Sequence, residues 1–183
     1  MTLLLLFLLS VQDEAKIDRE LKYANDPDRP QFQGQAIERL KSRGAKAVPA
    51  ILDSVKEKGR NGLELFFTEA LGEFGDDRIA DLLVECLGDR NFFWRPTAAK
   101  ALGTYRRKKD LSLFRSLITD PLWGVRFWSI RALEESDDRE ALPELRKLLN
   151  DGIYDVRAQA AKTLHAFGDD GGLPVLVASL RSS

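Results

Sequence analysis

The chain has 183 residues, 31% of them charged, and its 28 basic and 29 acidic side chains nearly cancel to a formal net charge of -1. That balance argues against a surface that grips nucleic acid over its whole extent, although a local basic stripe is compatible with it. The single cysteine, Cys86, excludes an internal disulfide framework, and the single histidine, His165, excludes a histidine-rich metal centre.

The N-terminus carries an apolar run from Leu3 to Leu9. It has the length of a short signal-peptide core and falls far short of a bilayer span. No Lys or Arg precedes it and no small-x-small cleavage site follows. Residues 1–12 therefore read as a signal-like segment or as an apolar strip packed on the first helices. Export and a cytoplasmic location fit equally well. Residues Asp13 to Ala24 read as a leading helix, and NDPDRPQ from Asn25 as a turn.

Residues 13–183 form a single domain in this reading, because one pattern returns every 31 residues. Ala70-Leu71, Ala101-Leu102, Ala132-Leu133 and Thr163-Leu164 keep the spacing, and Arg39-Leu40 extends it one step back. Each unit reads as two helices. The first helices are AVPAILDSVKE, DRIADLLVECLG, DLSLFRSLIT, EALPELRKLLN and GLPVLVASL, with Pro49, Pro143 and Pro174 near their starts, where a missing N–H costs little. Cys86 shares a core column with Leu117 and Leu148. In the second helices small and apolar residues recur at helical spacing, as Val125, Ser129, Ile130, Ala132 and Leu133 do. The small ones let neighbouring helices approach closely. Polar turns connect the units, and Gly75 and Gly168 are natural helix stops. No alternating stretch is long enough for a strand. A fixed period of this kind marks a stacked all-α array.

The order of an Asp, a Val-Arg, an Ala-Leu and then Leu-Pro resembles the short HEAT-like repeats of the phycobilisome-lyase type. Asp151, Val156-Arg157, Ala160-Ala161, Leu164 and Leu173-Pro174 carry the match best. The resemblance covers roughly residues 35 to 183. It implies an α-solenoid, a right-handed superhelix of about five two-helix repeats, with the second helices lining the concave side. The motifs are specific for architecture and weak for function, since such repeats occur in scaffolds, lyases and glycosylases.

Three columns travel in this register. Asp89, Asp120 and Asp151 run with Arg95, Arg126 and Arg157, and the first unit carries the reversed charges Lys58 and Glu64. A charge swap keeps an ion pair and destroys a catalytic role, so these residues read as a structural ladder. The aromatic column Phe92, Trp123 and Tyr154 either plugs the seams between repeats or forms an exposed edge. On the second helices, Glu69, Lys100, Arg131 and Lys162 lie one turn from Phe66, Thr97, Trp128 and Gln159. Trp128, Arg131, Lys100, Lys162 and Gln159 thus make an aromatic and basic patch, which the resemblance places in the groove. Such a patch suits an acidic peptide or a phosphate-bearing ligand. The loop run from Arg106 to Lys109 is in a position to extend it.

The last helix reads LPVLVASL where the preceding unit has LPELRKLL. A terminal repeat ordinarily becomes more polar, whereas this one becomes more apolar. It is expected to dock on a partner or a second copy, or to belong to a longer array. No nucleophile elbow, phosphate loop or paired Cys or His is present, so catalytic residues, metal and cofactor are all expected to be absent. The function expected is a non-catalytic scaffold offering its concave surface to a protein or peptide, with nucleic acid an unfavoured partner. The alternative is an enzyme on a HEAT-like scaffold, bilin lyase-like or alkylated-base DNA glycosylase-like; a di-iron hydroxylase is excluded by the lone histidine.

Overall fold

The computed structural model describes residues 2–24, 26, 28–58, 71–88 and 94–180. Among them the secondary structure is helical throughout, as the period predicts. The chain forms two compact units, Met1–Cys86 and Leu87–Ser183.

In the first unit, α1 (Thr2–Ala24) runs unbroken through the apolar run into the expected leading helix, so the border drawn at residue 12 falls inside one helix. Ile17, Leu21 and Ala24 form its buried stripe. They pack on Ala36, Ile37 and Leu40 of α2 (Pro30–Arg43), which starts at a proline within the last two residues of the expected turn. Arg39 reaches the buried Glu20 at 3.2 Å and ties the two helices together. α3 (Val48–Lys58) buries Val48 and Ile51, and α4 (Asp77–Leu87) buries Ile79, Leu83 and Cys86.

The second unit contains α5 (Trp94–Gly103), α6 (Leu111–Leu117), α7 (Trp123–Glu135), α8 (Leu142–Lys147), α9 (Tyr154–Ala166) and α10 (Leu173–Leu180). Helices α5, α7 and α9 are second helices and pack side by side, while α6, α8 and α10 are first helices. The seam between α5 and α7 is tight. A Cβ added to Gly103 would lie 3.2 Å from the Ala132 Cβ, and one added to Gly124 would lie 3.0 Å from the Pro96 Cβ. These are the close approaches that small residues permit.

Two columns demonstrate the register. Leu40, Leu71, Leu102, Leu133 and Leu164 all have 0% of their surface exposed. Gly44, Gly75, Arg106, Asp137 and Gly168, again 31 apart, all have positive φ, from 50° to 83°. The left-handed residue lets the chain reverse after each second helix. The Asp137 N–H bonds to the Glu134 carbonyl and the Asp138 N–H to the Leu133 carbonyl; Gly168 and Asp169 repeat the pattern with His165 and Leu164. These paired bonds close the helix C-terminus and satisfy carbonyls that would otherwise lack donors.

Candidate functional site: a tryptophan cleft between two second helices

The Asp and Arg columns interlock. Arg95 pairs with Asp120, and its Nε donates to the Leu87 carbonyl at 3.0 Å. Arg126 grips Asp151 with two bonds of 2.8 Å and donates to the Asp120 carbonyl at 2.7 Å. Each aspartate also accepts a backbone N–H, from Leu122 and from Ile153, both at 2.8 Å, just ahead of its helix. Burial pushes the Asp151 carboxyl up. The bonds from Arg126 and Ile153, with the fields of Arg126 and Arg157, outweigh burial and hold it below the ordinary aspartate value. Arg157 donates to the Asp151 carbonyl at 2.7 Å and lies over the Tyr154 ring. The ladder is therefore a brace between repeats, with its polar atoms turned into the scaffold.

A second ladder, absent from the sequence reading, braces the first helices. Arg115 reaches Asp138 at 3.2 Å, and Arg146 reaches Asp169 at 2.6 Å. Asp76, Asp138 and Asp169 each accept the N–H two residues on, as helix-start aspartates do. Its signal was legible, since Arg115 and Arg146 stand one period apart and so do Asp138 and Asp169.

The residues of the aromatic-basic face separate into two groups. Trp128, Arg131 and Glu135 share the face of α7 opposite the buried Val125, Ser129, Ile130 and Leu133. Across the seam stand Lys100, Gly103 and Thr104. Together with Ala132 they line a cleft of about 390 Å³. The Lys100 Nζ lies 5.0 Å from the Trp128 ring centroid and the Arg131 Cζ 5.5 Å from it, both within cation–π range. Phe127 meets the indole edge to face at 5.2 Å and fixes its plane. Glu135 takes part as well, 3.2 Å from Arg131 and 3.4 Å from Arg106.

Gln159 does not join this face. It is 8% exposed, and its amide donates to Glu134 at 2.6 Å and to the Thr163 hydroxyl at 3.2 Å. A residue with two hydrogen-bond partners inside the next seam has no reason to turn outward, so its expected place in the patch is corrected. Lys162 is exposed and lies 3.5 Å from Glu134, one seam beyond the cleft. In the basic loop, Arg107 turns inward to a buried pair with Asp110, while Arg106 reaches the cleft rim. Trp123 and Tyr154 are about half exposed at the starts of α7 and α9, which favours an exposed edge over a plugged seam. His165 is exposed, with Nδ1 2.7 Å from Asp170. Asp89, Phe92, Glu64, Phe66 and Glu69 lie outside the described residues, as does the Lys58 side chain.

A second cleft, of about 520 Å³, lies between α1 and α3, where Glu14, Asp18 and Asp53 stand with Lys46 around Ile17 and Pro49. Among the described residues no cluster of three or more His, Cys, Asp or Glu is placed to hold a metal ion, and no helix is long and apolar enough to cross a membrane.

The family model for HEAT repeats matches residues 65–133 and 112–183, which together span well over half of the chain. The chain is a HEAT-repeat protein. Among solved structures, human deoxyhypusine hydroxylase in complex with glycerol is similar to it, at 21% identity and a TM-score of 0.56. The match covers 95% of this HEAT-repeat chain and 70% of the hydroxylase, and at that identity it speaks for the fold alone. No curated protein sequence matches the chain.

Proposed function

We propose that this HEAT-repeat protein is a non-catalytic binding module that offers the second-helix face around Trp128 to an acidic protein or peptide. The observation that carries the reading is the half-buried indole with Lys100 and Arg131 over its ring at the mouth of a cleft. An aromatic platform flanked by cations suits a chain bearing carboxylates beside apolar side chains. Residues 13–183 act as the repeat array in this reading. The exposed Leu173 and Val177 of α10 support a second contact through that helix, with another copy or a partner.

The test is affinity capture from lysate of the native host, with wild type beside Trp128→Ala/Arg131→Glu, both checked by circular dichroism. An acidic protein captured by the wild type and lost by a folded double variant, then rebound after purification, supports the module. Equal capture by both variants moves recognition to the Trp123–Tyr154 edge or to α10. A small molecule retained in place of a protein favours an enzyme on the same scaffold.

A further inference from the structure

The cleft already holds a carboxylate. Glu135 extends from the last turn of α7 to within 3.2 Å of Arg131, one turn back on its own helix. The same carboxylate lies 3.4 Å from Arg106, which belongs to the turn after α5 and is set there by the left-handed backbone at φ 50°. Two guanidinium groups from opposite sides of one seam therefore converge on a single anion. Among the described residues at this end of the seam, Lys100, Arg106 and Arg131 are the cations that stand around the Glu135 carboxylate.

We propose that Glu135 is an internal stand-in for the ligand: it occupies the place where an acidic peptide sets a carboxylate, and it competes with that peptide for Arg106 and Arg131. The proposal rests on the Trp128 cleft being the recognition surface, and it names what that surface selects. Glu135 is one-third exposed and its partners are more so. Exposed pairs of this kind are weak and exchange readily with an incoming carboxylate. The indole beside them, with Gly103 and Ala132 forming a floor without bulk, takes an aliphatic side chain next to that carboxylate. The ligand class is thus a peptide alternating acidic and aliphatic residues. A phosphate alone uses the cations and leaves the indole uncovered.

The adjacent seam shows the same device in a closed form. Glu134 there accepts from Gln159 at 2.6 Å and Thr163 at 3.0 Å, with Lys162 at 3.5 Å. Its carboxylate is locked by neutral donors as well as by charge. Among the described residues Glu135 is held by Arg131 and Arg106, both more exposed than itself, and it yields more readily.

The experiment is fluorescence anisotropy at low ionic strength with a labelled peptide of repeating glutamate and leucine, and with its glutamine–leucine counterpart. Wild type, Glu135→Gln and Trp128→Ala are compared after thermal melts confirm folding. Glu135→Gln keeps the shape and removes the competitor, so it is expected to bind the acidic peptide about two- to fivefold more tightly, the worth of one exposed charge pair. Affinity for the glutamine peptide is expected not to change, and the gain is expected to fade with added salt. Unchanged or weaker binding by Glu135→Gln, with Trp128→Ala still losing affinity, overturns the stand-in and leaves the module reading intact. No loss in Trp128→Ala overturns both.

Discussion

Replacing Arg126 with methionine is the sharpest test of the ladder as a brace. The Arg126 and Asp151 side chains are 13% and 8% exposed, and two 2.8 Å bonds join them. Losing the guanidinium strands a nearly buried carboxylate and removes the donor held by the Asp120 carbonyl. Breaking a buried pair from one side costs about 3–5 kcal/mol, and the residual exposure here brings the expectation to about 2–4 kcal/mol. Asp151→Asn keeps an oxygen for the Ile153 N–H and is expected to cost about 1–2 kcal/mol. The double variant is expected to fall short of the sum by about 1–2 kcal/mol, because the pair is lost only once. Acid should act in the same direction. The folded Asp151 carboxyl sits below its ordinary value, so its contribution is complete above the unfolded aspartate pKa of about 3.9 and is lost as pH falls through the folded value. Asp151→Asn should then flatten the stability profile below about pH 5. Urea unfolding followed by circular dichroism at several pH values measures all of this. Strictly additive variants, or single costs below about 0.5 kcal/mol, would refute the brace.

Further outcomes follow at single positions. Leu133→Ala, at a site with no exposed surface, is expected to cost about 2–5 kcal/mol, and an unchanged melting temperature would contradict its place in the core. The buried Ser129 hydroxyl has no hydrogen-bond partner among the described residues, and Ala98 and Ala160 stand one period to either side, so Ser129→Ala is expected to stabilise by about 1 kcal/mol in the same assay. Gly168→Ala meets nothing within 4 Å but places a Cβ at φ +83°, for an expected loss of about 1 kcal/mol; at Arg106, glycine should likewise be tolerated better than alanine, reversing the usual helix preference.

The parts of the fold that repeat were legible. The leucine column is a column because each member fills the equivalent buried position of its own repeat, and burial at all five positions follows from the spacing. Left-handed turns were legible only where the residue is glycine. Arg106 and Asp137 hide the same conformation in what reads as a polar loop, and only their 31-residue distance from Gly75 and Gly168 reveals it. Charge runs were the least informative. Arg106 and Arg107 are neighbours in sequence, yet one reaches the cleft rim and the other is buried against Asp110, because the left-handed residue between helix and turn sends them in different directions.

The candidate cleft lies where the period is broken. A seam between second helices opens into a cleft at its mouth only when the closely packed residues of its floor are small and its wall is large. At α5 and α7 the floor is Gly103 beside Ala132, and the wall is Trp128. One period on, the position of Gly103 is taken by Glu134, and the position of Trp128 by Gln159. Those two residues bond to each other, so the same seam closes on itself. The basic column was visible because Lys100, Arg131 and Lys162 repeat. The sequence reading extended the patch to Gln159 and Lys162 because it followed that repetition past the point where the floor fills. Regular positions in such an array build the scaffold and cannot single out one seam; the exchange of glycine for glutamate and of tryptophan for glutamine is what distinguishes an open seam from a sealed one.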